Sequence, residues 1–183
     1  MALVLSGVLA PEALAQDDDP ADVADLQPRV VDLRLRVLDL QRRVESPEGL
    51  RAESPSQVEF AISADLLFAF NEATLAPEAR AVLSGLAEDI RRQAMGPIAI
   101  VGHTDAVGSD AFNLDLSRRR AAAVETELDI LLAGSAVAFA TEGRGENEPV
   151  AEETGADGAD DPEARARNRR VTVTYTKQAS QND

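Results

Sequence analysis

From residue 58 onward, the apolar positions switch between the spacing of strands and the spacing of helices. Val58, Phe60 and Ile62 recur at every second position, which predicts a strand with one buried face. The segment 76–93 then carries apolar residues at helical spacing, with a proline in its first turn. The remaining predicted elements are a strand over 97–102, a helix over 110–132, a strand over 137–140, a short turn of helix, and a last strand over 171–175.

This order of elements predicts the fold class. Two strand-helix-strand connections are crossovers, and a crossover places its two strands parallel in one sheet. We therefore expect an α/β fold, a two-layer sandwich of mixed sheet and helices, with the order βαβαβ followed by a short helix and a final strand. At 183 residues with 44% apolar content, the chain can bury one such core.

Three consecutive seven-residue repeats precede this domain: DLQPRVV, DLRLRVL and DLQRRVE. They predict an amphipathic helix over 16–45 that presents one apolar stripe. The helix would form a coiled coil with a partner or a second copy through 23–44. Alternatively, it would be a single amphipathic helix that lies on the domain or remains partly disordered. Arginines flank the stripe, so a partner with acidic flanks suits it better than an identical helix. The stripe consists of Val23, Leu26, Val30, Leu33, Val37, Leu40 and Val44.

The remaining segments are predicted from composition. Residues 1–15 resemble the apolar part and small-residue cleavage site of a secretory signal, although a basic start is missing. Residues 46–57, with two prolines, a glycine and three serines, are expected to be a linker. Residues 178–183 are expected to be a disordered tail. No apolar run approaches the roughly 20 residues of a transmembrane helix, so no membrane span is predicted.

Charge and cysteine usage narrow the function classes. The formal net charge of −15 argues against binding to nucleic acid, because clustered Lys and Arg supply the energy of that binding. The absence of cysteine excludes disulfides, thiolate metal sites, a cysteine nucleophile and a lipid-modified cysteine in this sequence. With a single histidine, His103, no ordinary zinc site is expected, and we predict no metal or cofactor.

The chemistry is concentrated where the strand over 97–102 ends and the next helix begins. Asp105 follows the strand, and Arg120 lies fifteen residues later on the helix. A carboxylate can accept from an ammonium while a guanidinium donates two parallel bonds to a carboxylate, so the pair is suited to a zwitterion. The alternative is that Asp105 and Arg120 simply pair with each other. The glycines nearby, Gly102, Gly108, Gly143 and Gly145, are interpreted as turn residues.

Four separated blocks carry a family resemblance: LFAFNEATLAPEA, IVGHTDAVGSDAFNLDLSRRRAAAV, TEGRGENEPVA and RARNRRVTVTY. In order and in internal spacing they resemble the OmpA-like C-terminal domain family, a peptidoglycan-binding module. The resemblance covers about 58–177. It implies that Asp105 and Arg120 grip the amino-carboxylate end of meso-diaminopimelate in the peptide stem of peptidoglycan.

Four further residues are candidates for the same site. Thr104 and Asn113 are interpreted either as ligand contacts or as turn and cap residues. Asn71 stands where the lipoprotein members of the family have an aspartate that touches the ligand, so only its backbone contact is expected to persist. Either Arg169 or Arg170 is expected to reach the rim of the pocket, with a slight preference for Arg169.

The sequence therefore predicts a noncatalytic protein that binds peptidoglycan and tethers the envelope or a partner to the cell wall. Its expected location is the periplasm, associated with the wall and peripheral to the outer membrane. The alternative is an enzyme that cleaves peptidoglycan, using the same pocket to bind the substrate and an acid and base pair drawn from Glu142, Glu146 and Glu148. A solvated acidic loop explains these carboxylates more simply. A weaker alternative is a structural assembly protein with an empty pocket.

Overall fold

The computed structural model describes residues 42–46, 49–155 and 157–177, and within these ranges it shows one six-stranded mixed sheet with four helices. The strands are β1 (Arg42–Ser46), β2 (Gly49–Glu53), β3 (Gln57–Ser63), β4 (Ala94–His103), β5 (Phe139–Gly145) and β6 (Arg170–Lys177). The helices are α1 (Ala64–Leu67), α2 (Ala79–Gln93), α3 (Asp110–Leu131) and α4 (Pro162–Asn168).

The strands follow one another across the sheet in the order β1-β2-β3-β6-β4-β5. Only β4 and β5 run parallel, and the chain joins them through α3. The other neighbours are antiparallel. The last strand therefore lies in the middle of the sheet, between β3 and β4, and this places the start of β6 beside the end of β3.

The core lies between the sheet and the two long helices. Along β6 the side chains alternate, with Val171, Val173 and Tyr175 buried and the threonines between them only partly covered. The helices α2 and α3 contribute buried residues such as Leu83 and Leu128 to the same layer. Aliphatic residues fill nearly all of this core, which agrees with the aromatic content of 3%.

The predicted fold class is confirmed: the structure is an α/β two-layer arrangement with a mixed sheet, two crossovers, a short helix and a final strand. The helix expected over 110–132 is observed as α3, and Ser109 caps it by accepting from the backbone N–H of Phe112. The strand expected over 137–140 begins two residues later and extends further, as β5 over Phe139–Gly145. The helix expected over 76–93 begins later, at Ala79.

The linker predicted over 46–57 is wrong, because β2 occupies Gly49–Glu53 in the middle of it. All five residues of β2 are partly covered, so the strand has no alternation that a sequence pattern could reveal. Its backbone hydrogen bonds to β3 hold it in the sheet instead. The helix predicted over 16–45 is also wrong at its end, because Arg42–Ser46 forms β1. The rest of that helix, the signal-like residues 1–15 and the tail 178–183 lie outside the described residues.

Two of the predicted turn glycines have another role. Gly102 and Gly143 lie within β4 and β5, where α3 crosses the sheet at close range, and neither has a positive φ. At these two positions glycine is required because α3 packs too closely for a side chain, not because the backbone turns there. Gly108 and Gly145 do have positive φ values, of 117° and 57°, as expected for glycines in turns.

Candidate functional site

Four segments of the chain meet where the strands β3 and β4 end and β6 begins, and they bring charged side chains together. The end of β3 leads into α1, the end of β4 leads into the loop that carries Asp105, α3 presents Arg120, and α4 ends at the start of β6 with Arg169. The position of β6 between β3 and β4 explains this meeting, since the backbone N–H of Ala64 donates to the carbonyl of Arg169 at 2.9 Å. Residues far apart in sequence thus share one small region.

Arg120 is the buried cation of this site. Its side chain is 4% exposed, its Nε donates to the carbonyl oxygen of Glu72 at 2.8 Å, and its guanidinium carbon lies 5.3 Å from the centre of the Phe68 ring. Among the described residues, no carboxylate forms an ion pair with it. Burial lowers the pKa of Arg120, and the nearby charge of Asp65 is the largest influence that raises it. A buried guanidinium without an anionic partner favours the binding of an anion.

Asp105 lies on the loop after β4, which several hydrogen bonds fix in place. The Asn113 side chain donates to the carbonyl oxygen of Asp105 at 3.2 Å, and the backbone N–H of Ala106 donates to the Glu153 carboxylate at 3.0 Å. The Asp105 carboxylate accepts from the backbone N–H of Val107 at 3.3 Å. The Asp105 side chain is 14% exposed to solvent. The loop thus holds this carboxylate in a fixed, mostly covered position.

Asp105 does not pair with Arg120, so the simple internal salt bridge between them is not what the structure shows. Its partner is Arg169, whose Nη1 donates to Asp105 Oδ2 at 2.8 Å. The other side of the Arg169 guanidinium donates to both oxygens of Asp65, at 2.9 and 2.6 Å. Hydrogen bonding to Asp65 is the largest cause that raises the pKa of Arg169. Arg169 therefore links two carboxylates, and Arg120 stands nearby without one.

Arg170 lies apart from this cluster. Its guanidinium donates to the carbonyl oxygens of Asn168 and Glu148, at 3.3 and 3.1 Å. Burial lowers the pKa of Arg170, and Glu59 and Glu148 act against that shift. Of the two arginines considered for the rim, Arg169 is the one that contacts Asp105.

Thr104 and Asn113 are both buried, at 4% and 1% exposure. The Asn113 amide is used within the protein: besides Asp105, it donates to the Glu146 carboxylate at 2.5 Å. Asn113 thus stabilises the loop that carries Asp105, whereas the N-cap of α3 is Ser109. The Thr104 backbone N–H donates to the carbonyl of Gly145 at 2.9 Å, while its hydroxyl is buried without a partner among the described residues.

Asn71 lies at the tip of a loop between α1 and α2, exposed and with a φ of 60°. The loop is closed at its base, where Phe68 bridges Leu75. Phe70, beside Asn71, is 92% exposed. The loop that carries Asn71 therefore also supplies the Glu72 carbonyl to Arg120, which links its position to the buried cation.

The carboxylates considered for acid and base chemistry have other partners. Arg144 pairs with Glu142 at 2.8 Å and with Glu148 at 3.5 Å, and Glu146 accepts from Asn113. His103 is buried, and its Nδ1 has no partner among the described residues. Burial, followed by the charges of Arg170 and Arg144, lowers its pKa to about 4. Across 42–46, 49–155 and 157–177, no three His, Asp or Glu side chains are grouped to hold a metal ion.

Three residues of the site escaped the sequence analysis: Asp65, Phe68 and Glu72. The four-residue helix α1 that carries Asp65 is too short to show helical periodicity. A local signal was nevertheless present, since Ser63 two residues before an acid is a helix start, and the Ser63 hydroxyl accepts from the Asp65 backbone N–H at 3.3 Å. Glu72 contributes a backbone oxygen, which no side-chain pattern reveals.

Comparison with known proteins places these residues in a family. A sequence model described as the OmpA family matches residues 67–169. The chain is similar to outer membrane protein A of Bordetella avium, with 37% identity over 120 residues, which are 66% of this chain and 58% of that protein. It is also similar to outer membrane protein A of Escherichia fergusonii, with 39% identity over 95 residues, 50% of this chain and 38% of that protein. The chain thus spans less than two thirds of either relative.

Solved structures agree. The cell wall anchor of the T6SS from Pseudomonas aeruginosa superposes with a TM-score of 0.59 at 27% identity, covering 82% of this chain and 96% of that one. The periplasmic domain of Helicobacter pylori MotB has the same fold, with a TM-score of 0.59 at 16% identity, covering 76% and 90%. None of the helices in the described part of the chain is long and apolar enough to cross a membrane.

Proposed function

The chain belongs to the OmpA family, and from that premise we propose that it is a noncatalytic protein that binds peptidoglycan by gripping the diaminopimelate of the peptide stem. The ammonium of that residue would lie against Asp105, and its carboxylate against Arg120. The protein would thereby tether the envelope or a partner to the wall. A related solved structure is a cell wall anchor, which supports a role in attachment.

The observation that carries the proposal is the state of Arg120. Its guanidinium is 4% exposed, and within the described ranges it has only a carbonyl oxygen and an aromatic ring as partners. A buried charge without a counterion is costly, so a ligand carboxylate that reached it would gain a strong, charge-assisted contact. Asp105 stands in the same cluster, where its charge acts on Arg120, and offers an acceptor for the neighbouring ammonium.

Binding at a single site should be weak. One zwitterionic end is a small ligand, so a dissociation constant in the range of roughly micromolar to millimolar is expected. The wall repeats the same stem many times, and any pairing of chains would increase retention without a new contact. The heptad segment could supply such pairing, and it belongs to this proposal only as a source of avidity.

The test is calorimetric titration with the soluble tripeptide L-Ala-γ-D-Glu-meso-diaminopimelate. We expect the wild type to bind and Arg120→Ala and Asp105→Ala to lose measurable binding. Arg119→Ala is the matched control, because Arg119 lies next to Arg120 on α3 but forms an exposed pair with Asp115 at 2.8 Å. Thermal melting of each variant separates lost binding from lost folding. Absence of wild-type binding, or equal binding by folded Arg120→Ala, would refute the grip.

The enzyme alternative is tested with insoluble sacculi. A tether should sediment with the sacculi and release no soluble muropeptides, whereas muropeptide release by the wild type would contradict the noncatalytic assignment.

Deletion of residues 17–41, which spares β1, should reduce retention on sacculi and leave the tripeptide affinity unchanged if the heptads provide avidity. The proposed location is the periplasm, at the wall and peripheral to the outer membrane.

A further inference from the structure

The site contains one more acidic residue than the proposed grip uses. Asp65 binds the Arg169 guanidinium with both carboxylate oxygens, at 2.9 and 2.6 Å, while the remaining edge of that guanidinium binds Asp105 at 2.8 Å. This is the bidentate geometry in which Arg and a carboxylate interact most strongly. Asp65 therefore holds Arg169 from the side opposite Asp105.

Together these residues balance in charge. The carboxylates of Asp65 and Asp105 bind the Arg169 guanidinium and act through their charge on Arg120, so these four side chains together carry no net charge. The charge of Asp65 also acts on Arg120 more strongly than that of Asp105 does. A neutral cluster with separated poles is complementary to a zwitterion, which is also neutral with separated poles.

We propose that Asp65 is a specificity-determining residue of the site: by neutralising Arg169 it leaves the charge of Asp105 available to a ligand ammonium, so that the site requires an ammonium beside the carboxylate. This inference rests on the proposed function. Without Asp65, Arg169 would have Asp105 as its one carboxylate among the described residues. The cluster would then carry a net positive charge and would favour a plain carboxylate over a zwitterion.

The physical basis is Coulombic. An ammonium bound at Asp105 lies close to the Arg169 guanidinium, and like charges at such distances repel unless an anion compensates. Asp65 is that anion. Because its side chain is 50% exposed, solvent screens part of the effect. A change of about fivefold in affinity, which corresponds to roughly 1 kcal/mol, is the scale expected for an exposed ion pair.

The experiment compares two tripeptides by calorimetry. One is L-Ala-γ-D-Glu-meso-diaminopimelate, and in the other 2-aminopimelate replaces diaminopimelate, which removes only the distal ammonium. The measured quantity is the dissociation constant of the aminopimelate peptide divided by that of the diaminopimelate peptide. For Asp65→Asn we expect the diaminopimelate peptide to bind about fivefold more weakly and the aminopimelate peptide to bind equally well or better, so that the ratio falls at least fivefold. Asp115→Asn, at an exposed pair with Arg119, should leave the ratio unchanged.

A second variant separates charge from structure. In the double variant Asp65→Asn, Arg169→Gln, the cluster is neutral again, so the ratio should return toward the wild-type value even if both affinities are lower. Failure of the wild type to bind either peptide would refute the proposed function. Wild-type binding with an unchanged ratio in Asp65→Asn, or a ratio that the double variant does not restore, would overturn the role of Asp65 alone.

Discussion

A Cβ atom on Gly102 would lie 2.2 Å from the carbonyl oxygen of Ser117, which is closer than any real contact of that kind. Gly102 is in β4, and Ser117 is in α3, so the helix rests directly on the strand at this point. Gly143 in β5 repeats the arrangement, with a Cβ position 2.4 Å from the backbone nitrogen of Arg118. These two glycines set the distance at which α3 presents Arg120.

We therefore predict that Gly102→Ala destabilises the protein. The neighbouring atom is backbone and cannot rotate away, so the helix must shift, at a cost of about 1–3 kcal/mol or more. Urea unfolding followed by circular dichroism measures the change. Gly85→Ala is the control, because nothing lies within 4 Å of its Cβ position in the interior of α2, and it should gain about 0.5–1 kcal/mol. A Gly102→Ala variant as stable as the wild type would contradict the close approach.

β6 and α3 could be predicted because the burial of their side chains follows a regular period. β6 alternates buried and partly covered residues, and α3 buries Leu116, Val124 and Leu128 on one row. In β2 and α1 no such signal exists, since β2 is partly covered throughout and α1 has only four residues. Their positions depend on hydrogen bonds to β3 and on the loop that follows, which are tertiary features.

Asp105 and Arg120 could be found from spacing and from the family blocks, because both lie in one continuous motif. Arg169 was a candidate for the rim of the same pocket, but the contacts that join these side chains could not be predicted. Asp65 is 104 residues from Arg169 in sequence, and only the insertion of β6 between β3 and β4 brings the two side chains together. Likewise, the Glu72 carbonyl contacts Arg120 because the loop has Asn71 at positive φ, and no pattern of residues in the sequence predicts that loop conformation.

Arg120→Lys tests the geometry of the site while keeping its charge. A lysine lacks the Nε that donates to Glu72 and the planar group that covers the Phe68 ring, and it cannot form two parallel bonds to one carboxylate. We expect the affinity for the diaminopimelate tripeptide to fall by at least about tenfold, corresponding to the loss of one charged hydrogen bond of roughly 1.5–3 kcal/mol. Calorimetric titration measures it. An unchanged dissociation constant would mean that charge alone suffices.

His103 should make the stability sensitive to mild acid. Its pKa is lowered to about 4 in the folded protein, chiefly by burial, against 6.5 for the free side chain. Below pH 6.5 the unfolded chain binds a proton that the folded protein does not, so stability falls as the pH drops from 6.5 toward 4. The expected loss between pH 7 and 4.5 is about 2 kcal/mol. Urea unfolding at the two pH values measures it.

His103→Gln isolates this contribution from the carboxylates that also titrate in acid. The variant cannot take up the proton, so its stability should fall by about 2 kcal/mol less than that of the wild type over the same pH interval. Identical pH profiles for the two proteins would show that His103 is solvated in the folded state.

Tyr175 provides an independent probe of the core at alkaline pH. It is the only tyrosine in a chain without tryptophan, so its ionisation can be followed by ultraviolet absorbance without interference from other residues. The side chain is 1% exposed, and its hydroxyl has no hydrogen-bond partner among the described residues. Burial, reinforced by Asp89, raises its pKa to about 12. We expect a titration midpoint near pH 12 in the folded protein and near 10 in urea.

The same shift predicts how stability changes in alkali. The folded protein keeps the neutral phenol, while the unfolded chain ionises above pH 10. The contribution of Tyr175 to the free energy of unfolding is therefore fully present below pH 10 and decreases as the pH rises toward 12, by about 1 kcal/mol at pH 11. Tyr175→Phe keeps the ring that stacks 6.4 Å from Phe60 and removes only a hydroxyl that lacks a partner. This variant should be at least as stable as the wild type at neutral pH. Its stability should fall less between pH 9 and 11, and an equal fall in both proteins would show that the phenol reaches solvent.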